Sequence, residues 1–213
     1  INKNFHENFK NYDFHNLYKE LLNFCTVELS SFYFDIRKDL LYCDPKTSKK
    51  RVYCITVLNI ILDCLLKWFA PILSFTTEEI FRMINKDDQS SIHLKNFVSI
   101  PNNWMNNDLD LKWNKIKSIR EIANISIESK RAEKIIGSSL ESEIVINLKN
   151  EDYNLVKNLD FSEICITSAA LLKRNNDNEA EIEVLTIKAE GKKCPICWKI
   201  SRNSCERHGH LNI

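Results

Sequence analysis

Glycine and long apolar runs are scarce in this sequence, and their scarcity excludes two kinds of function. Only three glycines occur among 213 residues, so the chain cannot form a glycine-rich loop that cradles nucleotide phosphates. The most apolar stretch, from Val57 to Leu66, is interrupted by Asn59 and Asp63. Because a membrane helix needs about 20 predominantly apolar residues, we expect no membrane partner.

An excess of charge of one sign is absent as well. The formal net charge is +1, so any RNA binding has to come from local basic patches and not from the overall charge. No set of Ser, His and Asp and no pair of Cys and His predicts a nucleophilic site, so we expect no catalytic residue. The sequence begins at Ile1 and shows no secretion signal, which leads us to expect a piece of a longer, cytoplasmic protein.

Apolar residues at helical spacing predict a helical bundle. A stripe with steps of three and four runs from Phe14 to Leu40 and predicts one long helix, with Ser30-Ser31 as the candidate position for a kink. Asp44-Pro45 ends this helix, since proline disfavours helical backbone in the residue before it. The basic segment Lys46–Arg51 is then expected as an exposed connection. The helix after it is apolar over most of its circumference and is expected at the centre of the bundle.

A shorter helix is predicted after residue 75. Thr76 and Glu79 have the spacing of a capping box, and Phe75 and Ile80 flank them at the spacing of a hydrophobic staple. Residues 85–107 are rich in Asn, Ser and Asp, so we expect an irregular connection there.

The last third of the chain changes its period. A long helix is predicted from Asp108, its N-cap, to about Glu133. From Gly137 onward apolar residues alternate with polar ones, which is typical of strands. The predicted order is a strand around Ile144, a helix at 151–159, a strand at 164–167 and, after an Asn-rich turn at 175–178, a strand from Ile182 to Ile187.

Residues of the metal-binding types crowd the end of the chain. Two intervening residues separate Cys194 from Cys197, and Cys205 from His208. This spacing lets each pair offer two ligands from one tight turn, and two turns complete a tetrahedron around Zn²⁺. His210 is an alternative fourth ligand, but Cys-x-x-His repeats the spacing of the first pair. Because the tail has few apolar residues, the metal has to supply most of its order.

Together these patterns predict a mainly α fold in three parts. They are a helical bundle in residues 1–136, a small α/β junction unit in 137–190 and a zinc-binding module in 191–213.

One aromatic ring lies among cations in the predicted zinc module. Trp198 is surrounded in sequence by Lys192, Lys193, Lys199, Arg202 and Arg207. An RNA base can stack on such a ring while the cations hold phosphates. In the alternative, Trp198 only covers the metal turn and the cations are solvated, and the pattern alone leaves both open.

Five stretches resemble the C-terminal region of bacterial isoleucyl-tRNA synthetase, and they follow one another in the same order. They are DFHNLYKELLNFC (13–25), SFYFDIRKDLLYCD (31–44), FAPILSFTTEEIF (69–81), KIIGSSLES (134–142) and AEGKKCPICWK (189–199). The resemblance covers nearly the whole chain, and about the last quarter of that family's own chain.

The resemblance implies a bundle that receives the anticodon stem-loop of isoleucine tRNA, followed by a junction unit and a zinc module that also touches the anticodon region. For the whole protein, which would be a monomer, it implies ATP-dependent attachment of isoleucine. A catalytic domain that binds ATP and Mg²⁺ and an editing domain would both lie upstream of Ile1. The resemblance favours RNA contact by Trp198, with Lys199, Arg202, Arg37 and Lys38 as further tRNA-binding candidates.

Two departures from the family pattern accompany the resemblance. The family's second ligand pair is usually two cysteines, whereas here Cys205 is paired with His208, and Ile196 stands where the family commonly has Arg. Lys199 or Arg202 would then replace that Arg as an RNA contact. Two alternatives remain, namely the same region of a valine or leucine synthetase and a free-standing zinc module for protein interaction.

Overall fold

The computed structural model describes residues 1–86, 90–175 and 181–209. The chain divides into two compact units, Ile1–Met105 and Asn106–Ile213. Most of the described residues are helical, and the strands form one three-stranded sheet and one two-stranded ribbon. The predicted mainly α character with a small sheet is therefore confirmed.

Helices make up the first unit. They are α1 (Asn2–Lys10), α2 (Phe14–Asn23), a π-helical segment (Phe24–Phe34), α3 (Asp35–Cys43), α4 (Lys49–Phe69) and α5 (Ser74–Ile84). The chain stays helical from α2 through α3, so the long helix predicted from Phe14 is present, with wider turns in its middle. Asp13 starts it by accepting the N–H of Asn16 at 3.1 Å, and the extended backbone of Asp44, just before Pro45, ends it as predicted.

The core of the first unit is built around the long helix. Leu17 and Leu21 are fully buried, together with Phe5 of α1 and Trp68 of α4. The indole N–H of Trp68 donates to the side chain of Asn2 at 3.0 Å, which satisfies its polar atom. The buried stripe thus passes through Leu17, whereas the predicted stripe members Phe14 and Tyr18 are half exposed.

Helix α4 is less buried than the sequence predicted. It begins at Lys49, after the cap residue Ser48, so half of the expected connection Lys46–Arg51 is helical. Val57 and Ile60, on its predicted second apolar face, are 41% and 38% exposed. Helix α4 nevertheless contacts α2, α3 and α5, with Cys64 and Trp68 in one core cluster and Leu66 in another, so its central place in the bundle stays a prediction.

By length and composition alone, α4 could cross a membrane, since its most apolar 18 residues have a mean hydropathy of 1.7. The interruption of this helix by Asn59 and Asp63 was therefore too weak an argument against a span. A core helix of a soluble protein passes the same test, however. Cys64 and Trp68 pack into one core cluster of the first unit and Leu66 into another, while Lys67 and Asp63 form an ion pair of 2.7 Å. Packing of this kind is what a core helix of a soluble protein shows.

The predicted start of α5 is wrong. The helix begins at Ser74, so Thr76 lies inside its first turn and forms no capping box. Phe75 is 92% exposed and forms no staple. The physical reason is that the backbone N–H of Thr77 donates to the carbonyl of Leu73 at 3.0 Å, so the first helical bond already encloses Thr76 and leaves it no cap position.

The connection after α5 is irregular as predicted, with short 3₁₀ turns at Ile92–Leu94 and Asn102–Trp104. Glu78 of α5 fixes its start. One carboxylate oxygen of Glu78 accepts the hydroxyl of Ser91 at 2.7 Å and the N–H of Ile92 at 3.0 Å. Residues 87–89 of this connection lie outside the described residues.

The second unit combines helices with a sheet. Its elements are α6 (Asn107–Ala132), a 3₁₀ turn (Ser139–Glu141), β1 (Ser142–Lys149), α7 (Asn150–Val156), α8 (Phe161–Ile164), β2 (Ala169–Asn175), β3 (Glu183–Lys188), β4 (Lys192–Lys193) and β5 (Ile200–Ser201). The sheet has the order β2-β1-β3, with β1 parallel to β2 and antiparallel to β3, and β4 pairs with β5 in the ribbon. The predicted strand around Ile144, helix at 151–159 and strand from Ile182 to Ile187 correspond to β1, α7 and β3.

Two details of this unit differ from the prediction. Ile164 ends a helix, and β2 begins only at Ala169, so no strand forms at 164–167. The reason is the carboxylate of Asp160, which accepts two N–H groups and starts a helical turn there. Of the predicted Asn-rich turn, only Asn175 is described, as the last residue of β2, and residues 176–178 lie outside the described residues.

Helix α6 packs on the sheet. Its N-cap is Asn106, which accepts the N–H of Leu109 at 2.9 Å, and not Asp108 as predicted. Its buried face joins the inward face of β1 in one core of Ile116, Ile119, Ala123, Ile127, Ile144, Ile146 and Leu148. The helical period reveals which face is buried but not what covers it. The predicted division into three domains, with limits at residues 136 and 190, stays a prediction, because the two compact units do not test it.

Candidate metal centre and RNA-binding surface

Two tight turns present the predicted metal ligands. In the first, the N–H of Trp198 donates to the carbonyl of Cys194 at 3.0 Å, and the N–H of Cys194 donates to the carbonyl of Lys199 at 2.9 Å. In the second, the N–H groups of His208 and Gly209 both donate to the carbonyl of Cys205. Each turn holds its two ligand residues on one side of the backbone, as the spacing predicted.

The structure brings all four predicted ligands together. The ligand atoms of Cys194, Cys197, Cys205 and His208 lie within 4.8 Å of one another. Nδ1 of His208 is 3.5 Å from Sγ of Cys194 and 3.3 Å from Sγ of Cys205, and the sulfurs of Cys197 and Cys205 are 3.7 Å apart. His210, the alternative ligand, lies outside the described residues.

These distances fit a tetrahedral ion. Zinc bonds of about 2.3 Å to sulfur and about 2.0 Å to nitrogen would place two sulfurs about 3.8 Å apart and a sulfur and a nitrogen about 3.5 Å apart. The three separations given above lie close to these values, and all four donor atoms lie within 4.8 Å of one another. The cluster could therefore hold a metal ion.

The electrostatics of the thiols also favour a bound cation. Burial raises the pKa of Cys197, and the neighbouring thiols of Cys194 and Cys205 raise it further. Burial also acts to raise the pKa of Cys194, but N–H groups of Cys197 and Ile196 directed at its sulfur outweigh this and lower that pKa. Three thiols so close together cannot all be thiolates unless a cation balances their charge, and a divalent ion supplies that charge.

The metal turns are anchored to the α/β part of the same unit. The hydroxyl of Ser168 donates to the carbonyl of Leu140 at 2.5 Å and accepts the N–H of Ile200 at 2.6 Å. The ammonium of Lys199 donates to the hydroxyl of Ser162 at 2.9 Å. Sequence reasoning missed both anchors, because an isolated Ser in a turn carries no signal of its partner.

Gly191 allows the ribbon to close. Its φ is +127°, and a Cβ at this position would lie 2.1 Å from the carbonyl oxygen of Ser201. Only glycine fits this close approach of β4 and β5, which carry the metal turns. The sequence shows this glycine just before Lys192, although its partner strand cannot be identified from spacing.

Trp198 projects from the first metal turn. Its ring is 58% exposed, and the ammonium of Lys193 lies 5.3 Å from the ring centroid. Its φ is +63°, in the left-handed region that non-glycine residues rarely adopt and that costs about 1–2 kcal/mol. A large aromatic side chain held outward at a strained position is thus available for stacking, with a cation beside it.

The other tRNA-binding candidates each contact a partner side chain. Lys199 is turned toward Ser162 as described above. Arg202 forms an exposed ion pair of 2.6 Å with Glu190. In the first unit, the guanidinium of Arg37 lies 5.7 Å from the ring centroid of Tyr33, and Lys38 forms an ion pair of 3.1 Å with Asp35.

An open groove of about 720 Å³ runs beside the metal turns. The lining includes Lys192, Lys193, Arg202 and Arg207 from the metal module, with Asp160 and Ser162 from the α/β part. Basic side chains outnumber the acidic ones, Asp160 and Glu206, in this lining, which suits a nucleic-acid backbone.

The sequence matches a known family model. That model is described as the anticodon-binding domain of tRNA ligase, and it matches residues 1–146 of this chain.

Curated relatives extend the similarity over the metal module. The chain is 62% identical over 208 residues to isoleucine–tRNA ligase of Pelagibacter ubique (strain HTCC1062), which covers 98% of this chain and 23% of the relative. It is 41% identical over 199 residues to the isoleucine–tRNA ligase of Agrobacterium fabrum, covering 89% of this chain and 20% of the relative. The chain is 40% identical over 207 residues to the isoleucine–tRNA ligase of Methylacidiphilum infernorum, and this match covers 95% of this chain and 22% of the relative. The chain thus spans about a fifth of the length of these relatives.

Proposed function

Because this chain belongs to the family of anticodon-binding domains of tRNA ligases, we propose that it is the C-terminal tRNA-recognition part of an isoleucine–tRNA ligase. The observation that carries the proposal is the 62% identity to one such ligase over 98% of the chain. The longer polypeptide would attach isoleucine to its tRNA with ATP and Mg²⁺ bound in a catalytic domain outside this chain. It would work as a cytoplasmic monomer.

Each part of the chain has its own task in this proposal. Residues 1–136 would form the helical domain that receives the anticodon stem-loop, residues 137–190 the junction, and residues 191–213 the zinc module. Zn²⁺ held by Cys194, Cys197, Cys205 and His208 would supply the folding energy of the module, on the order of 10 kcal/mol in small zinc modules. The metal has a structural task here, since four protein ligands leave no open position for a substrate.

RNA contact in the module is assigned to side chains that the metal turns hold outward. Trp198 would stack on an unpaired base, because its ring is exposed beside the ammonium of Lys193. Arg202 would exchange its exposed partner Glu190 for a phosphate, which costs little because exposed ion pairs are weak. Lys199 would act mainly by orienting the module, since its ammonium is bound to Ser162. Arg37 and Lys38 are proposed as contacts of the helical domain.

Filter binding across a salt series tests this function directly. The zinc-loaded chain is titrated with isoleucine tRNA, with valine tRNA and with an isoleucine tRNA whose anticodon has been replaced. We expect the tightest binding for the unaltered isoleucine tRNA, and an affinity that falls as salt rises because phosphate contacts release counterions. Preference for valine tRNA would assign the chain to a valine ligase instead. Equal affinity for all three would contradict anticodon recognition and favour a free-standing interaction module.

A further inference from the structure

The three thiols of the metal cluster differ in how far solvent reaches them. Cys194 and Cys197 are buried, whereas Cys205, at the start of the second metal turn, is half-buried. All three line the open groove of about 720 Å³ beside the metal turns, so a small solute can enter the groove and meet Cys205 first. Cys205 is therefore the thiol of the cluster that a dissolved oxidant reaches most readily.

Cys205 has no thiol partner within its own turn. The other ligand of the second turn is His208, so a disulfide of Cys205 has to reach the first turn. There the sulfur of Cys197 lies 3.7 Å from the sulfur of Cys205. Because a disulfide bond is about 2.05 Å long, these two sulfurs have to approach each other by about 1.6 Å. The fold that gathers the metal ligands thus also brings two thiols near bonding distance.

The other five cysteines of the chain are less suited to oxidation or lie elsewhere. Cys54, Cys64 and Cys165 are buried. Burial raises the pKa of Cys165 to about 12, so its thiol stays protonated and unreactive. Cys25 and Cys43 are half-buried, but they lie in the first compact unit, outside the metal cluster. Selectivity for the cluster therefore follows from the access to Cys205 together with the short distance between two sulfurs.

We propose that Cys197 and Cys205 form an oxidation site, at which a peroxide joins the two thiols in a disulfide and so releases the metal ion from the module. Loss of the ion removes the order of the metal turns and with it the fixed position of Trp198. The inference rests on the proposed zinc module and its RNA contact, and it adds a reversible modification that governs both.

The reaction has two steps. First, the thiolate of Cys205 attacks one oxygen of hydrogen peroxide: an S–O bond forms, the O–O bond breaks and hydroxide leaves, which makes Cys205 a sulfenic acid. Next, the thiolate of Cys197 attacks the sulfur of Cys205: the S–S bond forms, and the S–O bond breaks with loss of a second hydroxide. The two sulfurs give up two electrons, and the peroxide takes them up. Cys194 and His208 then remain as ligands, which are too few for a structural zinc ion.

Zinc release tests the inference in the full zinc-loaded chain. Hydrogen peroxide is added in the presence of a chromophoric chelator, and we expect one zinc per chain to be released. Dithiothreitol followed by zinc should restore the metal content. The control combines Cys25→Ala with Cys43→Ala, which removes the half-buried thiols of the first unit, and it should release zinc at the parent rate with the loss of two thiols. Cys205→His keeps four candidate ligands without the attacked thiol and should release zinc at least tenfold more slowly.

Peptide mapping identifies the new bond in the parent chain and depends on no variant. Trypsin cleaves after Lys and Arg, so it separates the peptides 194–199 and 203–207. After peroxide treatment, mass spectrometry should find these two peptides joined, with Cys197 as the linked residue of the first. A bond within the peptide 194–199, or a bond between Cys194 and Cys205, would overturn the assigned site.

Filter binding with isoleucine tRNA measures the consequence for RNA. The oxidised chain should bind at least about fivefold more weakly than the reduced, zinc-loaded chain, because a base stacked on Trp198 is worth about 1 kcal/mol or more. Reduction and added zinc should restore the affinity. An unchanged affinity after the loss of zinc would overturn the inference that this oxidation governs RNA binding.

The inference and the proposed function fail in different ways. If the reduced chain holds zinc and prefers isoleucine tRNA but peroxide releases no zinc, the oxidation site is overturned and the proposed function stands. Equal release rates from the parent chain and a zinc-loaded Cys205→His variant have the same meaning. If the reduced chain holds no stoichiometric zinc, the proposed zinc module is overturned together with the oxidation site.

Discussion

Trp198 combines an unfavourable backbone conformation with an exposed ring. Its backbone bears on the folding of the metal turn, and its ring bears on RNA binding. At φ +63° glycine would be free of strain, so the backbone of this turn gains nothing from a tryptophan. Strained residues that persist are often tied to function. The backbone and the side chain of Trp198 can therefore be tested separately.

Replacing Trp198 by Gly should relieve the backbone strain and remove the ring, whereas Trp198→Ala should remove only the ring. Both variants should lose about 1–3 kcal/mol of tRNA binding if a base stacks there. The glycine variant should retain zinc at least as tightly as the parent chain. Filter binding and competition with a chromophoric chelator measure the two effects, and unchanged tRNA affinity in both variants would favour the covering role.

Gly191→Ala should disrupt the metal module without touching any ligand. The new Cβ would lie 2.1 Å from the carbonyl oxygen of Ser201, so β4 and β5 would have to separate. We expect zinc affinity to fall at least tenfold in chelator competition. Gly137→Ala is the matched control, because its Cβ would meet only the side chain of Glu141 at an ordinary 3.5 Å. Equal zinc affinities for the two variants would show that the ribbon does not position the ligands.

At the level of elements, local chemistry decided what the sequence could predict. The metal turns could be predicted because two ligand pairs with the same short spacing specify their own geometry, and β1 because alternation is strict in Ile144, Ile146 and Leu148. The start of α5 could not, since the backbone N–H of Thr77 bonds to the carbonyl of Leu73 and places Thr76 inside the helix. The partner of α6 could not either, because an apolar stripe packs equally well on helices or on a sheet. The anchors Ser168 and Lys199 depend on long-range contacts that no spacing records.

Glu78 joins two elements of the first unit in a pH-dependent way. The hydroxyl of Ser91 lowers the pKa of Glu78 to about 2, assisted by Arg82 and by the N–H of Ile92. Because the pKa is lowered in the folded state, this contribution is present above the ordinary value of 4.5 and is lost as pH falls toward 2.

Glu78→Gln should therefore unfold at a lower urea concentration than the parent chain at pH 7. The difference between the two midpoints should shrink steadily between pH 4.5 and pH 2. Glu79→Gln, on the next residue of the same helix, is the control and should show no such pH dependence. A midpoint difference that stays constant down to pH 2 would contradict the role given to the ionised carboxylate.

At the scale of the whole molecule, the two compact units carry separate candidate surfaces for one partner. The first unit offers Arg37 and Lys38 of α3, and the second offers the metal turns with the groove beside them. An extended anionic ligand such as a tRNA suits two such surfaces, because the near-neutral net charge of the chain confines attraction to local patches. The family match covers residues 1–146, whereas the similarity to the isoleucine–tRNA ligase of Pelagibacter ubique covers 98% of the chain.

The most direct test is the metal content of the purified full chain, measured by elemental analysis together with the order of the module by NMR. We predict one zinc per chain, its loss in Cys205→Ala, and its retention in Cys25→Ala, which removes a cysteine of the first unit. Chelation should disorder residues 191–209 and leave the helical signals of the first unit unchanged. Absence of stoichiometric zinc, or an equally ordered module after chelation, would contradict the claim that a metal ion organises this end of the chain for RNA.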